Sequence, residues 1–217
     1  MALRINDVVP DFTAESSEGE IKFHDWIGDS YAILFSHPKD FTPVCTTEFG
    51  AVAQLADEWA KRNTKVIGVS VDGVPEHQKW KADIETVGGA KVTFPILADK
   101  DLKISKAYDM LPAEFMLPDA PTPMDSETVR VVYIIGPDKK VRLMMTYPMT
   151  VGRNFAEVLR ALDGVQMADA YPVATPANWN PGEDVVIKTS VSNEDAKKQF
   201  GEFETVLPYL RMAKAPG

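Results

Sequence analysis

Residues 31–48 read YAILFSHPKDFTPVCTTE, and their pattern predicts a strand followed by a helix. Its first part, Tyr31–Ser36, is a short apolar run rich in aromatic residues, which is typical of a buried strand. Thr42 and Pro43 then supply an N-cap residue and a proline at the first helical position. Apolar residues recur at helical spacing beyond them, so the pattern predicts a helix from Pro43 to about Lys61.

Further strand and helix signals alternate along the chain. Lys65–Val71 (KVIGVSV) has the pattern of a second buried strand, and Pro75–Val87 opens with proline and closes on a glycine pair, as a helix should. Phe94–Leu97 predicts a short strand, with Pro95 near its start indicating a sheet edge or a strand end. Asp101–Tyr108 predicts a short amphipathic helix. This alternation indicates an α/β fold.

Two strand-like runs in the second half predict an antiparallel hairpin. They are Arg130–Ile135 (RVVYII) and Val141–Thr146 (VRLMMT), and a turn-rich segment joins them. The central sheet is therefore predicted to be mixed. A helix should follow from Asn154 to about Leu162, ended by Asp163 and Gly164.

The composition changes after Met167. Prolines and glycine become frequent, and they precede one short strand-like run, Val185–Lys188, and a mixed helical tail. We therefore predict a main domain over residues 1–166 and a smaller C-terminal arm over residues 167–217.

The overall composition excludes several classes of protein. The chain has 217 residues, of which 45% are hydrophobic and 25% charged, as expected of a globular protein with a sizeable core. The net charge of -9 opposes binding to nucleic acid or to anionic lipid. The sequence shows neither a leader-like apolar segment near its start nor a run of about 18 apolar residues. We expect a cytoplasmic protein with neither nucleic acid nor a membrane as partner.

The chain contains one cysteine, Cys45, and three histidines. A single cysteine cannot form a disulfide within the chain and cannot build a cysteine-based zinc site. His24, His37 and His77 lie far apart in sequence and lack the spacing of known metal motifs, so they are better explained as structural or surface residues. We expect no metal and no cofactor.

The sulfur of Cys45 is the best-placed reactive atom. It follows Thr42 by three residues, in the first turn of the predicted helix, where unpaired backbone N–H groups and the helix dipole favour the thiolate. A thiolate attacks electrophiles. The alternative is that Cys45 is an inert, buried side chain of a non-catalytic binding module, because free cysteine is among the most buried residue types.

The twelve residues HPKDFTPVCTTE, 37–48, resemble the active-site signature of the peroxiredoxins, and of their one-cysteine subfamily in particular. The likeness extends through PDF at 10–12, VIGVSVD at 66–72, FPILAD at 94–99, the strand that starts at Arg130, GRNF at 152–155 and PANW at 176–179. The resemblance implies a thioredoxin-like fold, reduction of hydrogen peroxide and organic hydroperoxides, and a homodimer built partly through the C-terminal arm.

The resemblance also implies roles for individual residues. Cys45 matches the cysteine that attacks the peroxide, Thr42 its hydroxyl partner and Arg130 the arginine beside the sulfur, so these three are the candidate catalytic residues. Pro38 matches the proline that shields the thiolate from water. Glu48 is interpreted as a carboxylate that orients its neighbours.

Two further residues are candidates for substrate binding together with Pro38. Arg153 matches a second family arginine near the pocket, and the open alternative is a surface charge at a helix start. His37 matches a histidine beside the active-site loop, and its alternative is a hydrogen-bonded structural imidazole.

The expected catalytic cycle passes through a sulfenic acid on Cys45. The chain has no second cysteine to resolve it, so reduction must come from an external thiol or a redox protein, and excess peroxide should drive overoxidation to sulfinic acid. We expect a homodimer or a larger oligomer.

Some mammalian members of the subfamily are credited with phospholipase activity through a Gly-x-Ser-x-Gly serine. The corresponding segment here is GDSYA at 28–32, in which Ala32 replaces the final glycine, although His24 and Asp138 fall at matching places. Ser30 is better explained as a turn residue. A lipid hydrolase centred on Ser30 is kept as the second enzymatic hypothesis.

Overall fold

The computed structural model describes residues 3–116 and 126–216, and over these residues the chain forms two compact units, Met1–Phe155 and Ala156–Gly217. The predicted division at residue 166 stays a prediction.

A mixed sheet of seven strands organises the described part of the first unit. Its strands are β1 (Thr13–Ser16), β2 (Gly19–Lys22), β3 (Tyr31–Ser36), β4 (Thr64–Ser70), β5 (Ile96–Ala98), β6 (Arg130–Ile135) and β7 (Val141–Tyr147). The spatial order is β2-β1-β5-β4-β3-β6-β7. The pairs β3–β4 and β4–β5 are parallel and the other pairs are antiparallel, so the predicted mixed sheet and the β6–β7 hairpin are confirmed.

The described residues also form helices. They are α1 (Phe23–Ile27), α2 (Pro43–Gln54), α3 (Ala56–Lys61), α4 (Val74–Gly88), α5 (Lys103–Ala107), a 3-10 turn at Ala113–Met116, α6 (Phe155–Ala170) and α7 (Asn193–Phe200). The strand β5 is an interior strand of the sheet, and Pro95 lies just before it. Pro95 therefore marks a strand end, because a strand interior would need its missing N–H.

Strand β3 is apolar at consecutive positions because both faces of the sheet are covered. Leu34 packs with Ile67 on one face, whereas Phe35, which points the other way, lies against Phe49 of α2 with ring centroids 4.9 Å apart. The buried strand predicted from this run is therefore confirmed, and α2 begins at Pro43 as expected.

The prediction of a single helix from Pro43 to about Lys61 is wrong, because the helix is broken at one residue. Leu55 interrupts it with backbone angles of φ -92 and ψ 13, and α3 starts at the next residue. The indole N–H of Trp59 donates to the carbonyl oxygen of Val52 over 3.1 Å. That carbonyl is the acceptor that an uninterrupted helix would use for the N–H four residues later.

Two glycines let α2 and α4 approach closely. A Cβ atom on Gly50 would lie 2.9 Å from the Cα of Gly88, and one on Gly88 would lie 2.5 Å from the Cα of Gly50. No side chain larger than hydrogen fits either position without a shift of the helices. The helix that carries Cys45 is thus held directly against α4.

Residues 156–216 form a second sheet of four strands: β8 (Val173–Ala174), β9 (Val185–Ile187), β10 (Glu204–Leu207) and β11 (Leu210–Ala213), in the order β10-β11-β9-β8. The predicted strand at Val185 is confirmed. The helical prediction for the tail is right for α7 and wrong for β10 and β11. The wrong part is explained by pairing, because β11 adds to β9 and so buries Ala213.

The predicted end of α6 at Asp163 and Gly164 is also wrong, since the helix runs on to Ala170. An interior glycine costs a helix about 1 kcal/mol relative to alanine. Met167, on the extension, packs against a cluster that contains Val173 and Trp179, and this burial offsets the cost.

No helix in the described ranges combines the length and the apolar character needed to cross a membrane.

Candidate active site

Cys45 lies in the first turn of α2, at the point where the chain leaves strand β3 and the loop that follows it. Thr42 is the N-cap residue and Pro43 occupies the start of the helix. Cys45 itself is fully buried. The free N–H groups of the first helical turn favour an anion at this position.

Arg130, the first residue of β6, places its guanidinium beside the sulfur. Nη1 lies 3.3 Å from Sγ of Cys45 and donates to a carboxylate oxygen of Glu48 over 2.7 Å. Nε donates to the carbonyl oxygen of Met149 over 2.8 Å. A permanent cation at this distance favours the thiolate over the thiol.

Glu48 joins two arginines. It stands one helical turn after Cys45 on α2, on the same side of the helix, and its two oxygens accept from Arg130 and from the N–H, Nε and Nη2 groups of Arg153. Burial on its own would raise the pKa of Glu48, but the hydrogen bonds and charges of Arg153, with the charge of Arg130, outweigh it. The pKa of Glu48 is therefore lowered, and the carboxylate stays ionised.

Arg153 is fixed on all sides. Its remaining amino group, Nη1, donates to the carbonyl oxygen of Val131 over 2.9 Å, and its guanidinium lies 5.2 Å from the ring centroid of Phe35 and 5.4 Å from that of Phe155. Burial lowers its pKa, an effect that Glu48 partly offsets. The alternative of a surface charge is wrong, because Arg153 is only 7% exposed. Its donors serve Glu48 and the backbone, and substrate binding by Arg153 stays a prediction.

Thr42 and Pro38 lie in the loop before the helix. The hydroxyl of Thr42 donates to the carbonyl oxygen of Lys39 over 2.9 Å, so its lone pairs remain able to accept. Pro38 is buried. Between them, Phe41 has a left-handed backbone, with φ 56, although its side chain is half exposed. A bulky residue adopts this conformation at an energetic cost.

His37 belongs to a buried hydrogen-bonded chain that the sequence did not reveal. Its Nε2 lies 2.7 Å from one oxygen of Asp40, and Nδ1 of His77 lies 2.6 Å from the other. Burial lowers the pKa of His37, an effect that Asp40 partly offsets. His77 stands 37 residues beyond Asp40 in sequence, and no spacing rule joins them. The one usable signal was that Asp40 lies inside the motif HPKDFTPVCTTE.

His37, Asp40 and Asp72 each place one atom of a type that binds metals within 4.8 Å of the other two. Both carboxylates already accept hydrogen bonds. Both oxygens of Asp40 face imidazoles, and Asp72 accepts from the backbone N–H of Asp40 and from the hydroxyl of Ser70. The group is thus explained as a hydrogen-bond network.

The structure does not assemble a hydrolase triad around Ser30. The Ser30 hydroxyl donates to the amide oxygen of Asn63 over 3.0 Å, and Nε2 of His24 bonds to the carbonyl oxygen of Val9. Asp138 pairs with Arg142. A serine nucleophile needs a base within hydrogen-bond reach, and Ser30 bonds to an amide instead.

Comparisons with known proteins cover nearly the whole chain. Residues 5–144 match the AhpC/TSA family, and residues 164–202 match the C-terminal domain of 1-Cys peroxiredoxin. Peroxiredoxin PRX1, mitochondrial, of Saccharomyces cerevisiae is 49% identical over 216 residues, which cover 98% of this chain and 81% of that protein.

Solved structures agree with this result. A crystal structure of a mutant of peroxiredoxin 6 of Arenicola marina superposes with a TM-score of 0.91 at 42% identity, covering 99% of each chain. A structure of the yeast mitochondrial 1-Cys peroxiredoxin superposes with a TM-score of 0.87 at 46% identity, covering 98% of this chain and 99% of that one. That structure addresses the thiol resolving mechanism via glutathione/thioredoxin systems.

Proposed function

This chain belongs to the 1-Cys peroxiredoxins, and from that membership we propose that Cys45 is the residue that a hydroperoxide oxidises. The protein is a thiol-dependent peroxidase with a thioredoxin-like fold. The observation that carries the assignment of Cys45 is the Arg130 guanidinium, 3.3 Å from its sulfur in the first turn of α2.

The chemistry follows from this geometry. The Cys45 thiolate attacks one peroxide oxygen, an S–O bond forms as the O–O bond breaks, and the second oxygen leaves as water or an alcohol once it has taken up a proton. Negative charge grows on the leaving oxygen, and the donors of Arg130 and of the first helical turn stabilise it. Thr42 accepts the peroxide O–H and aligns the bond that breaks, because its own proton is committed to Lys39.

The other predicted residues shape this site. Pro38 keeps water away from the thiolate, and Arg153 holds Glu48, which in turn holds Arg130. His37 has a ring nitrogen, Nδ1, with no hydrogen-bond partner among the described residues, and this free acceptor supports a role in binding the peroxide. Because the sulfur has no exposed surface, a small local movement must admit the substrate.

The reductant comes from outside the chain. The sequence holds one cysteine, so two external thiols must act in turn: the first forms a mixed disulfide with Cys45 and releases water, and the second releases the Cys45 thiol. The yeast relative, whose resolution by glutathione/thioredoxin systems was studied, supports a small thiol or a redox protein in this role. A second peroxide would instead carry the sulfenic acid to sulfinic acid.

Location and assembly belong to the same proposal. We place the protein in the cytoplasm as a homodimer or a larger oligomer. The yeast relative is named as mitochondrial, so fractionation of cells that express this chain decides the compartment, and sedimentation decides the assembly.

The reaction at Cys45 is tested by trapping its product. Reduced protein treated with one equivalent of hydrogen peroxide is expected to bind a cyclic diketone reagent specific for sulfenic acid, at Cys45, because that thiol is the only one in the chain. Mass spectrometry of the intact protein and of its peptides measures the label, and Cys45→Ser protein is the control that must stay unlabelled. Wild-type protein that gains no label would favour the non-catalytic binding module.

Replacing Ser30 by alanine is expected to leave peroxidase turnover unchanged. The substitution removes one hydrogen bond, to Asn63, at the opposite end of strand β3 from the loop that leads to Cys45. Peroxide consumption with dithiothreitol and release of fatty acid from a phospholipid are measured side by side. Wild-type phospholipid hydrolysis that disappears with Ser30→Ala would revive the hydrolase hypothesis.

A further inference from the structure

Asp40 is held between two imidazoles in the interior of the protein. Its oxygens lie 2.7 Å from Nε2 of His37 and 2.6 Å from Nδ1 of His77, and all three side chains are almost completely buried. The second ring nitrogen of His77, Nε2, lies 3.2 Å from the carbonyl oxygen of Leu97 in β5. His77 therefore ties α4 both to the sheet and to the loop that precedes Cys45.

The contacts fix the number of protons in this chain of groups. A carbonyl oxygen can only accept, so Nε2 of His77 must carry a proton. Each of the two hydrogen bonds between an imidazole and Asp40 also contains one proton. Three protons are required, whereas two neutral imidazoles supply two. The third lies between His77 and Asp40, so the group as a whole has no net charge, which is the condition for burying it without a large penalty.

The backbone of the loop is anchored at the same residue. The N–H of Asp40 donates to Asp72 over 2.8 Å, and Asp72 also accepts from the hydroxyl of Ser70 at the end of β4. The next residue is Phe41, whose left-handed backbone is costly, and Thr42 follows at the start of α2. Such a conformation persists only where neighbouring contacts enforce it. The side chain and backbone of Asp40 supply those contacts.

Helix α4 also contacts the other side of the cysteine. The indole N–H of Trp80, one turn after His77, donates to the hydroxyl of Thr46 over 3.0 Å, and Thr46 is the residue after Cys45. The ring of Trp80 stacks on that of His37, with centroids 5.1 Å apart. One helix thus braces the chain both before and after the sulfur.

We propose that His77 is a positioning residue for the peroxidase reaction: through Asp40 it holds the loop 37–42 in the conformation that places Thr42 and Pro38 at the start of the Cys45 helix. This inference rests on the proposed function of Cys45. His77 does not need to touch the peroxide. Its loss should impair the alignment of the peroxide by Thr42 and leave the nucleophilicity of the sulfur, which depends on Arg130 and the helix start, largely intact.

Two conservative variants separate the contacts of His77. In His77→Asn the side-chain amide N–H lies near the position of Nδ1 and can still donate to Asp40, whereas in His77→Gln the amide lies near Nε2 and can reach Leu97 instead. Two rate constants are measured by stopped flow for each protein: oxidation of Cys45 by hydrogen peroxide, which needs alignment, and its alkylation by iodoacetamide, which does not.

His77→Gln is expected to slow the oxidation by on the order of 10- to 100-fold, because a displaced positioning group misaligns the substrate. Its alkylation should change by no more than about threefold, and His77→Asn should stay within about fivefold of wild type in both reactions, as expected when alignment is retained. The rescue by asparagine is the result that a merely structural role does not produce.

Ile84→Ala is the matched control. Ile84 is fully buried on α4, two turns after His77, so its truncation loosens the helix without removing a contact to Asp40. The proposal is overturned if this variant slows oxidation as much as His77→Gln does, if His77→Gln slows alkylation equally, or if the Asn and Gln variants behave alike. Wild-type protein that peroxide does not oxidise would instead overturn the proposed function itself.

Discussion

Replacing Arg130 by methionine is expected to slow the oxidation of Cys45 by hydrogen peroxide by about 10²- to 10³-fold, the usual loss when one preorganised donor to a developing negative charge is removed. Two effects combine. The thiolate loses the cation 3.3 Å from its sulfur, and the leaving oxygen loses a donor in the transition state. The fold should survive, because Glu48 keeps its contacts to Arg153.

The measurement is the second-order rate constant for oxidation across a pH series, with circular dichroism to verify folding. Arg130→Lys retains the charge but cannot hold Cys45, Glu48 and Met149 together, so it should fall between wild type and the methionine variant. Arg142→Met, on the neighbouring strand β7, is the control and should react as wild type does. An Arg130→Met protein that reacts within a factor of about three of wild type would contradict electrostatic stabilisation by Arg130.

The sequence predicted the part of the fold that places the sulfur. The run Tyr31–Ser36 fits a strand because consecutive apolar residues suit a sheet covered on both faces, and Pro43 fits a helix start because its missing N–H is harmless there. Both signals are local, and both were right. Together they place Cys45 at the strand-to-helix junction from a stretch of fewer than twenty residues.

Elements that depend on tertiary contacts could not be predicted from local sequence patterns. The break at Leu55 follows from the indole of Trp59, and α6 passes through Gly164 because of side chains that it meets later in the chain. The strand β10 is exposed at each of its four residues, so it has no pattern of buried apolar residues from which a strand could be predicted. Pairing with β11 forms it.

In the candidate site, too, local spacing predicted some residues and missed those that tertiary structure brings in. Glu48 could be flagged from the motif, since it follows Cys45 by one helical turn. Its two partners, Arg130 and Arg153, lie 82 and 105 residues away, and their roles came from family resemblance rather than from spacing. His77 carried no signal, because the sheet topology alone brings α4 to the loop of Asp40.

Glu48 is the residue whose neutralisation should cost the most stability. It is 3% exposed and is the carboxylate to which both buried arginines bond, so Glu48→Gln removes the carboxylate charge that compensates two guanidinium groups in the interior. Removing one partner of a buried pair typically costs about 3–5 kcal/mol. We expect a loss of this size in the free energy of unfolding by urea at neutral pH.

The chain offers a matched control on its surface. Glu58 also binds two cations, with 2.6 Å to Nζ of Lys61 and 2.7 Å to Nη1 of Arg62, but its side chain is 37% exposed. Solvent and salt screen exposed pairs of this kind, so Glu58→Gln should barely change the unfolding curve. Equal losses from the two variants would show that burial does not set the energy of the Glu48 pair.

The pH dependence distinguishes a charge effect from a packing effect at Glu48. Because the arginines lower the pKa of Glu48 in the folded protein, its ionisation stabilises the fold fully above the pKa of the unfolded chain, and this stabilisation is lost as the pH falls through the lower, folded value. The difference in unfolding free energy between wild type and Glu48→Gln should therefore be largest near neutrality. It should shrink in the acid range below the ordinary pKa of glutamate, where wild-type Glu48 takes up the proton that makes it as neutral as glutamine. A difference that stays constant throughout this acid range would mean that shape, and not charge, accounts for the stabilisation.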